Sequence, residues 1–252
     1  MSILCSEWTK LSSVRTTWLL VVSAMLASVL LGLLGVSDLI GAQPSDLPDD
    51  WDPTATSLKG LLFAQLLVGM LGALSITSEY ETGMIATSLS VVPSRPRLLI
   101  AKAAVVSAIG LGTGVATALI SFTAVQLVLG DADIPIASIG GPGVAWALVG
   151  AAIYLTLVSL IGLSVGVLAR STAGSLATLV GITLLMPAIA PSIPGPIGDW
   201  FGRYWPITAG QKAYMVMQLA NEVTPWLGLG ILAAATFALG IASIAAFVSR
   251  DA

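Results

Sequence analysis

Long unbroken runs of apolar residues, separated by short polar stretches, dominate the pattern along this chain. Six runs approach or exceed the roughly 20 residues that a helix needs to cross a ~30 Å hydrocarbon core: residues 17–36, 58–77, 103–129, 144–169, 173–190 and 226–248. Charged residues, Pro or Gly bound each run, and no ionisable side chain lies in the middle of one. The alternation of a membrane β-barrel is missing. Each run is therefore predicted to be a helix, because a helix satisfies its own backbone in lipid. The expected fold is an all-α membrane protein, a single transmembrane domain over residues 1–252 with six transmembrane helices. The first run is long for a signal peptide and no small-x-small site follows it, so it is expected to stay as a span.

The segments between the runs carry weaker patterns. Leu4, Trp8, Leu11 and Val14 recur at helical spacing, which predicts an N-terminal helix over 2–16 lying in the membrane interface, with Trp8 and Trp18 at headgroup depth. The five aspartates of 37–57 read as a solvated loop. Pro187, Pro191, Pro194 and Pro196 are expected to end the fifth run early, and Trp200, Phe201, Tyr204 and Trp205 then cluster before Pro206. Ala213 to Ala220 is again helix-like. Too short to cross and too apolar for water, residues 191–225 are predicted to be a re-entrant or interfacial segment. Gly110 with Gly114 and Gly162 with Gly166 are Gly-x-x-x-Gly pairs that allow close helix packing, by default within one subunit.

Composition supports the pattern. Only 9% of the 252 residues are charged and 56% are hydrophobic, with a mean hydropathy of +0.97, against about 25% charged in a soluble domain. With no His and one cysteine, Cys5, neither a zinc site nor a disulfide framework is available; no metal, cofactor or catalytic residue is expected, and no nucleic-acid partner. Seven of the ten Lys/Arg (Lys10, Arg15, Arg95, Arg97, Lys102, Arg170 and Arg250) fall on one side of the six runs. The positive-inside rule makes that side cytoplasmic and places both termini there.

The stretch after the second run is the most distinctive. Ser78 and Glu81 have the spacing of a capping box. Ile85, Leu89 and Val92 then line one face of a short helix, with Thr87, Ser88 and Ser90 away from it, and Pro93 stops it. The order Glu79-Tyr80-Glu81-Thr82-Gly83-Met84, followed by Pro93-Ser94-Arg95 and Lys102, resembles the cytoplasmic loop of ABC-2 type permeases. Ser6-Glu7-Trp8-Thr9-Lys10 is similar to the start of the same family, whose members often have Thr where this chain has Met84. The resemblance implies that this short helix is a coupling helix seated in a cleft of a separate P-loop ATPase subunit. It further implies that Glu79, Tyr80, Glu81, Thr82, Gly83, Pro93 and Arg95 lie at that contact. A second permease subunit, identical or not, would complete the path in the plasma membrane, for export of a hydrophobic or amphipathic drug, peptide or lipid. The chain itself has no Gly-x-x-x-x-Gly-Lys-Ser/Thr loop, so it is expected to be a transport subunit and not an enzyme.

Three other readings make different demands. An ion-coupled secondary transporter would place Asp, Glu or His inside the spans, or bind sodium through neutral oxygens such as that of Gln126. A membrane enzyme would need more than Glu79, Glu81, Arg95 and Arg97. A non-transporting scaffold or immunity protein asks nothing of the spans.

Overall fold

The computed structural model describes residues 3–37, 47, 51–91, 94–217 and 222–249, without the side chains of 86 and 89–91. Among these residues the chain is helical with no strand, and six helical stretches are long and apolar enough to cross a membrane. A short helix α1 (Ile3–Ser13) leads into α2 (Arg15–Ser37), the first of them. Then come α3 (Pro53–Ser57), α4 (Leu61–Glu81), α5 (Met84–Val91), α6 (Arg95–Asp131) and α7 (Val144–Ala169). The fifth stretch, Thr172–Ser192, contains α8 (Thr172–Val180), a wide π turn and α9 (Met186–Ile189). Two short helices, α10 (Pro196–Tyr204) and α11 (Pro206–Gln211), precede the last, α12 (Pro225–Ser249).

At the centre α7 crosses α4 and α6 at backbone contact. A Cβ on Gly162 would lie 1.9 Å from Gly69 O, one on Gly72 1.9 Å from Ser159 O, and one on Gly114 2.8 Å from the Ala152 Cα. Only glycine lets the helices approach this closely, which is how helices associate where no hydrophobic effect drives them together. Both Gly-x-x-x-Gly pairs are thus used inside the subunit. Against this centre α2 lays a single stripe, Val21, Ala24, Ser28, Gly32 and Val36, spaced three or four apart as one helix face requires.

The boundaries shift in instructive ways. The helix of the third run starts two turns before 103, at Arg95, and so takes Lys102 inside it. The second begins at Leu61 and runs to Glu81. Ser78 is therefore in its last turn, donating to Leu74 O at 2.7 Å, and the predicted Ser78–Glu81 capping box does not form. Pro187 does not end the fifth helix. With no N–H to return to the preceding turn, it follows a π turn at Gly181–Leu185, where Met186 N bonds Gly181 O. The indole of Trp205 donates to the Ile182 carbonyl left over, at 2.8 Å, and the Gln65 amide approaches Thr183 O at 3.4 Å.

Residues 206–214 dip between α7 and α12. Ile207, Ala209 and Gly210 are buried, and a Cβ on Gly228 would meet Ala209 O at 2.1 Å. The helix expected from Ala213 is instead a 3-10 turn, Lys212–Tyr214, followed by an extended Met215; residues 218–220 lie outside the described part. Asp52 is not a solvated loop residue either. It is buried, its Oδ1 accepts from Thr54 N and Ala55 N, and its Oδ2 accepts from Val216 N and Met217 N at 2.7 and 3.0 Å. One carboxylate so ties the segment before α4 to the segment before α12. Asp38, Asp46, Asp49 and Asp50 lie outside the described residues. Gln126, whose oxygen accepts from Ala137 N while its amide donates to Pro53 O and Ser57 Oγ, is used as a stitch and leaves no oxygen directed at an ion.

The glycine crossing gives a direct test. Gly72→Ala drives a methyl into the Ser159 carbonyl and is expected to destabilise by about 1–3 kcal/mol, as overpacking does. Gly112→Ala, with nothing within 4 Å of its Cβ, should leave the melting temperature in detergent unchanged. Equal melting of the two variants would contradict the crossing.

Candidate functional site: a buried charge cluster beneath an exposed turn

At one end of the bundle α1, the end of α4, α5 and the start of α6 meet around four charges. Glu7 and Lys102 are each 1% exposed and Glu79 is 6% exposed. Lys102 Nζ lies 2.7 Å from Glu7 Oε2, 2.7 Å from Glu79 Oε1 and 3.1 Å from Ser75 O, which uses all three ammonium protons. Lys10 Nζ lies 2.8 Å from Glu7 Oε1, 3.1 Å from Ser88 Oγ and 3.3 Å from Glu79 Oε1. The two acids and two bases cancel. That balance is what makes their burial tolerable, since a buried charge without a partner costs far more than a paired one.

The sequence builds this locally. In α1 Glu7 and Leu11 form the buried stripe while Leu4 and Trp8 are exposed, so the helix docks by its acid as well as its apolar face. Burial pushes the Glu7 carboxyl up, but the ammonium groups of Lys102 and Lys10 outweigh it and hold its pKa below the ordinary Glu value. Burial likewise lowers Lys10, and the Glu7 and Glu79 carboxylates reverse that and raise it.

Three consecutive residues at the end of α4 fan out to three partners, as successive helix positions must. Glu79 points into the cluster. Tyr80 lies under the Arg170 guanidinium, 5.3 Å from its ring centroid, a cation–π contact. Glu81 accepts from the Thr172 hydroxyl and, at 3.4 Å, from Thr172 N. Beyond them Thr82 ends the helix and Gly83 takes a left-handed φ of 71°. That conformation suits glycine and turns the chain into α5. Glu81, Thr82, Gly83 and Met84 are exposed.

α5 is held from beneath. Ile85 is buried with Ile76, Leu98, Leu163 and Phe247, and Ser88 faces Glu79 and Lys10. Arg95 does not face outward with the turn: its Nη1 donates to Phe247 O at 3.0 Å, capping the end of α12. Pro93 and Val92 lie outside the described residues, as does the Leu89 side chain. Of the residues expected at a partner contact, Glu81, Thr82 and Gly83 therefore share an exposed turn, Tyr80 flanks it, and Glu79 is an internal strut. Ser88 and Thr172 complete the site with the charged Glu7, Lys10, Lys102 and Arg170, of which Glu7, Lys10 and Lys102 stood out in the sequence only as separate pieces of the family pattern and were not brought together there. Their signal was the charges themselves, since ionisable groups beside apolar helices need named partners.

Chemically the cluster binds helices together: its carboxylates are neutralised by the two ammonium groups, and the Ser88 hydroxyl is taken up between Glu79 and Lys10. It is a joint. Residues 3–188 match the family model described as ABC-2 family transporter protein, a span that begins at α1 and takes in the whole charge cluster, the turn and α5. The chain belongs to the ABC-2 transporter family and is a multi-pass permease of an ABC-type transporter, a class that in general works with a partner ATPase. Comparison with curated proteins found no match.

The pKa directions fix a pH window. The lowered Glu7 pKa contributes stability above the ordinary Glu value and loses it as pH falls through the folded value. The raised Lys10 pKa contributes below the ordinary Lys value and loses it as pH rises through its folded value. Amide exchange in α1, corrected for intrinsic rate, should show protection that is flat around neutrality and falls at both extremes. Glu7→Gln should remove the acid-side loss; an unchanged acid limb in that variant would contradict the docking.

Proposed function

We propose that this permease is driven by a separate P-loop ATPase that seats on the turn and helix between α4 and α6. The chain would carry no nucleotide site of its own and would pair with a second permease subunit in the plasma membrane to export a hydrophobic or amphipathic molecule. The observation that carries this reading is the contrast at one end of the bundle. Glu81 to Met84 are exposed, yet the element they open is wired into α1, α4 and α6 through Ser88, Ile85 and the buried charges. A protein pressing on that turn would move packed helices and not a loose loop. Coupling of this kind needs two discrete arrangements, each favoured by one state of the motor.

The basic residues Lys10, Arg95, Arg97, Lys102 and Arg170 gather at this same end, which supports a cytoplasmic position for it. The apolar character of all six spans supports an apolar or amphipathic cargo. In this reading Glu79 transmits force and does not touch the ATPase, whereas Thr82, Gly83 and Met84 do.

Thr82→Trp and Met84→Asp change exposed side chains and should leave melting untouched. Co-expressed with its ATPase, the double variant should lose association by about tenfold or more, as loss of a central contact does, with stimulated ATP hydrolysis falling in parallel. Retention of both at wild-type level would reject the seat. Reaction of a cysteine at Thr82 with an impermeant reagent outside intact cells would reject the orientation.

A further inference from the structure

The seam between α6 and α12 opens into a groove beside residues 99–103 of α6. Leu99 and Ala103 of α6, Leu160 of α7, and Phe237 and Ile244 of α12 line an apolar cavity of about 280 Å³. The hydroxyls in its wall are spent within their own helices: Ser164 donates to Leu160 O, Thr236 to Leu232 O and Ser243 to Gly240 O, at 2.8 to 2.9 Å. The wall therefore asks for hydrocarbon. From Ile244 to Ala233 the groove runs ~16 Å at 1.5 Å per helical residue, which is the depth of one leaflet of a ~30 Å core. A helix of that length, ~10 Å across, displaces more than ~1,000 Å³, so the groove is the size of an acyl chain and too small for a helix.

Its polar end is marked by arginines. Arg95 holds the end of α12 and closes the seam below the groove. Arg97, two residues before the groove begins on α6 at Leu99, is exposed and makes no ion pair or hydrogen bond with the described residues. On its other side a second apolar furrow of about 400 Å³ runs between Ile3 and Leu4 of α1 and Ala101 and Ala104 of α6. Ile100 forms the ridge between the two, lining both. Among the described residues Arg97 is thus a cation without a charged partner, placed between two apolar grooves that share the Ile100 ridge.

We propose that this face holds one anionic phospholipid, its phosphate on Arg97, one acyl chain in the α6–α12 groove and the other in the α1–α6 furrow. A guanidinium and a phosphate form a strong charge-assisted pair, and juxtamembrane cations favour anionic headgroups. The lipid is a resident of the fold and not its cargo. It bridges α1, α6 and α12 where direct contact between α6 and α12 is sparse. The proposal requires only that the chain spans a bilayer and stands apart from the ATPase reading.

The test reconstitutes the full chain in bilayers of equal phosphatidylglycerol and phosphatidylcholine, extracts it in mild detergent and measures retained lipid by native mass spectrometry. The wild type should retain phosphatidylglycerol preferentially, and Arg97→Gln should reduce the preference about fivefold. Gly240 lines the groove and has nothing within 4 Å of a Cβ, so Gly240→Leu starts from an open position, occupies the groove and should lose lipid of both kinds. Gly230→Leu, equally free of neighbours and on the same helix outside the groove, should match the wild type. Lipid retention unaltered by Arg97→Gln and Gly240→Leu would overturn the proposal. So would disulfide formation in the membrane between two copies carrying Phe237→Cys with Cys5→Ser, which would show a second copy covering the face.

Discussion

Four charges that an apolar protein can hold only together set the geometry of one whole end of this molecule. Lys102 sits two turns inside a helix, almost wholly buried, and is tolerated there because Glu7 and Glu79 each stand 2.7 Å away. Those acids come from α1 and α4, and Lys10 closes the ring from α1. A lone ammonium in that position would be expelled or neutralised. The need for neutrality therefore recruits α1 against α4 and α6, and the Ser88 contacts extend the same ring to α5. Backbone contacts at Gly69, Gly72 and Gly162 fix the middle of the bundle by shape, whereas this end is fixed by charge.

The two kinds of restraint have different consequences for motion. Helices meeting backbone to backbone leave little room to shift against each other, which favours α4 and α7 staying together. Salt links at the periphery can exchange partners, and at this end they join pieces that belong to different helices. Glu81 to Thr172 carries the linkage onward to the fifth spanning stretch, and Tyr80 to Arg170 carries it to the end of α7. At the opposite end Asp52 performs the matching task, joining two loop segments through four backbone amides. Each end of the bundle is thus tied across sequence-distant segments by a few polar groups.

The spans were legible in the sequence because hydrocarbon imposes length and composition with little latitude. Their ends were not. Lys102 looked like a loop residue since a charge normally stops an apolar run, and only its partners, at sequence separations of 23 and 95 residues, explain its place inside a helix. Pro187 looked like a terminator, and the indole of Trp205 that accommodates it comes from beyond the span. Ser78 and Glu81 matched a local motif, but α4 ran through them because Glu79, Tyr80 and Glu81 all gain partners only if the helix continues. The exposed turn at Thr82 and Gly83 was readable; the buried joint beneath it was not, because Glu7 and Lys10 lie on an N-terminal helix read as interfacial and their partners Glu79 and Lys102 are distant in the chain.

The buried charges act as one neutral unit. A double-mutant cycle on Glu79→Gln and Lys102→Met, followed by thermal unfolding of the full chain in detergent, addresses it most directly. Each single change leaves an unbalanced buried charge, while the double variant leaves the Glu7–Lys10 pair balanced. The double variant should be more stable than the sum of the single losses by about 1–3 kcal/mol, the range for residues sharing one network. Strict additivity of the two losses would contradict the account.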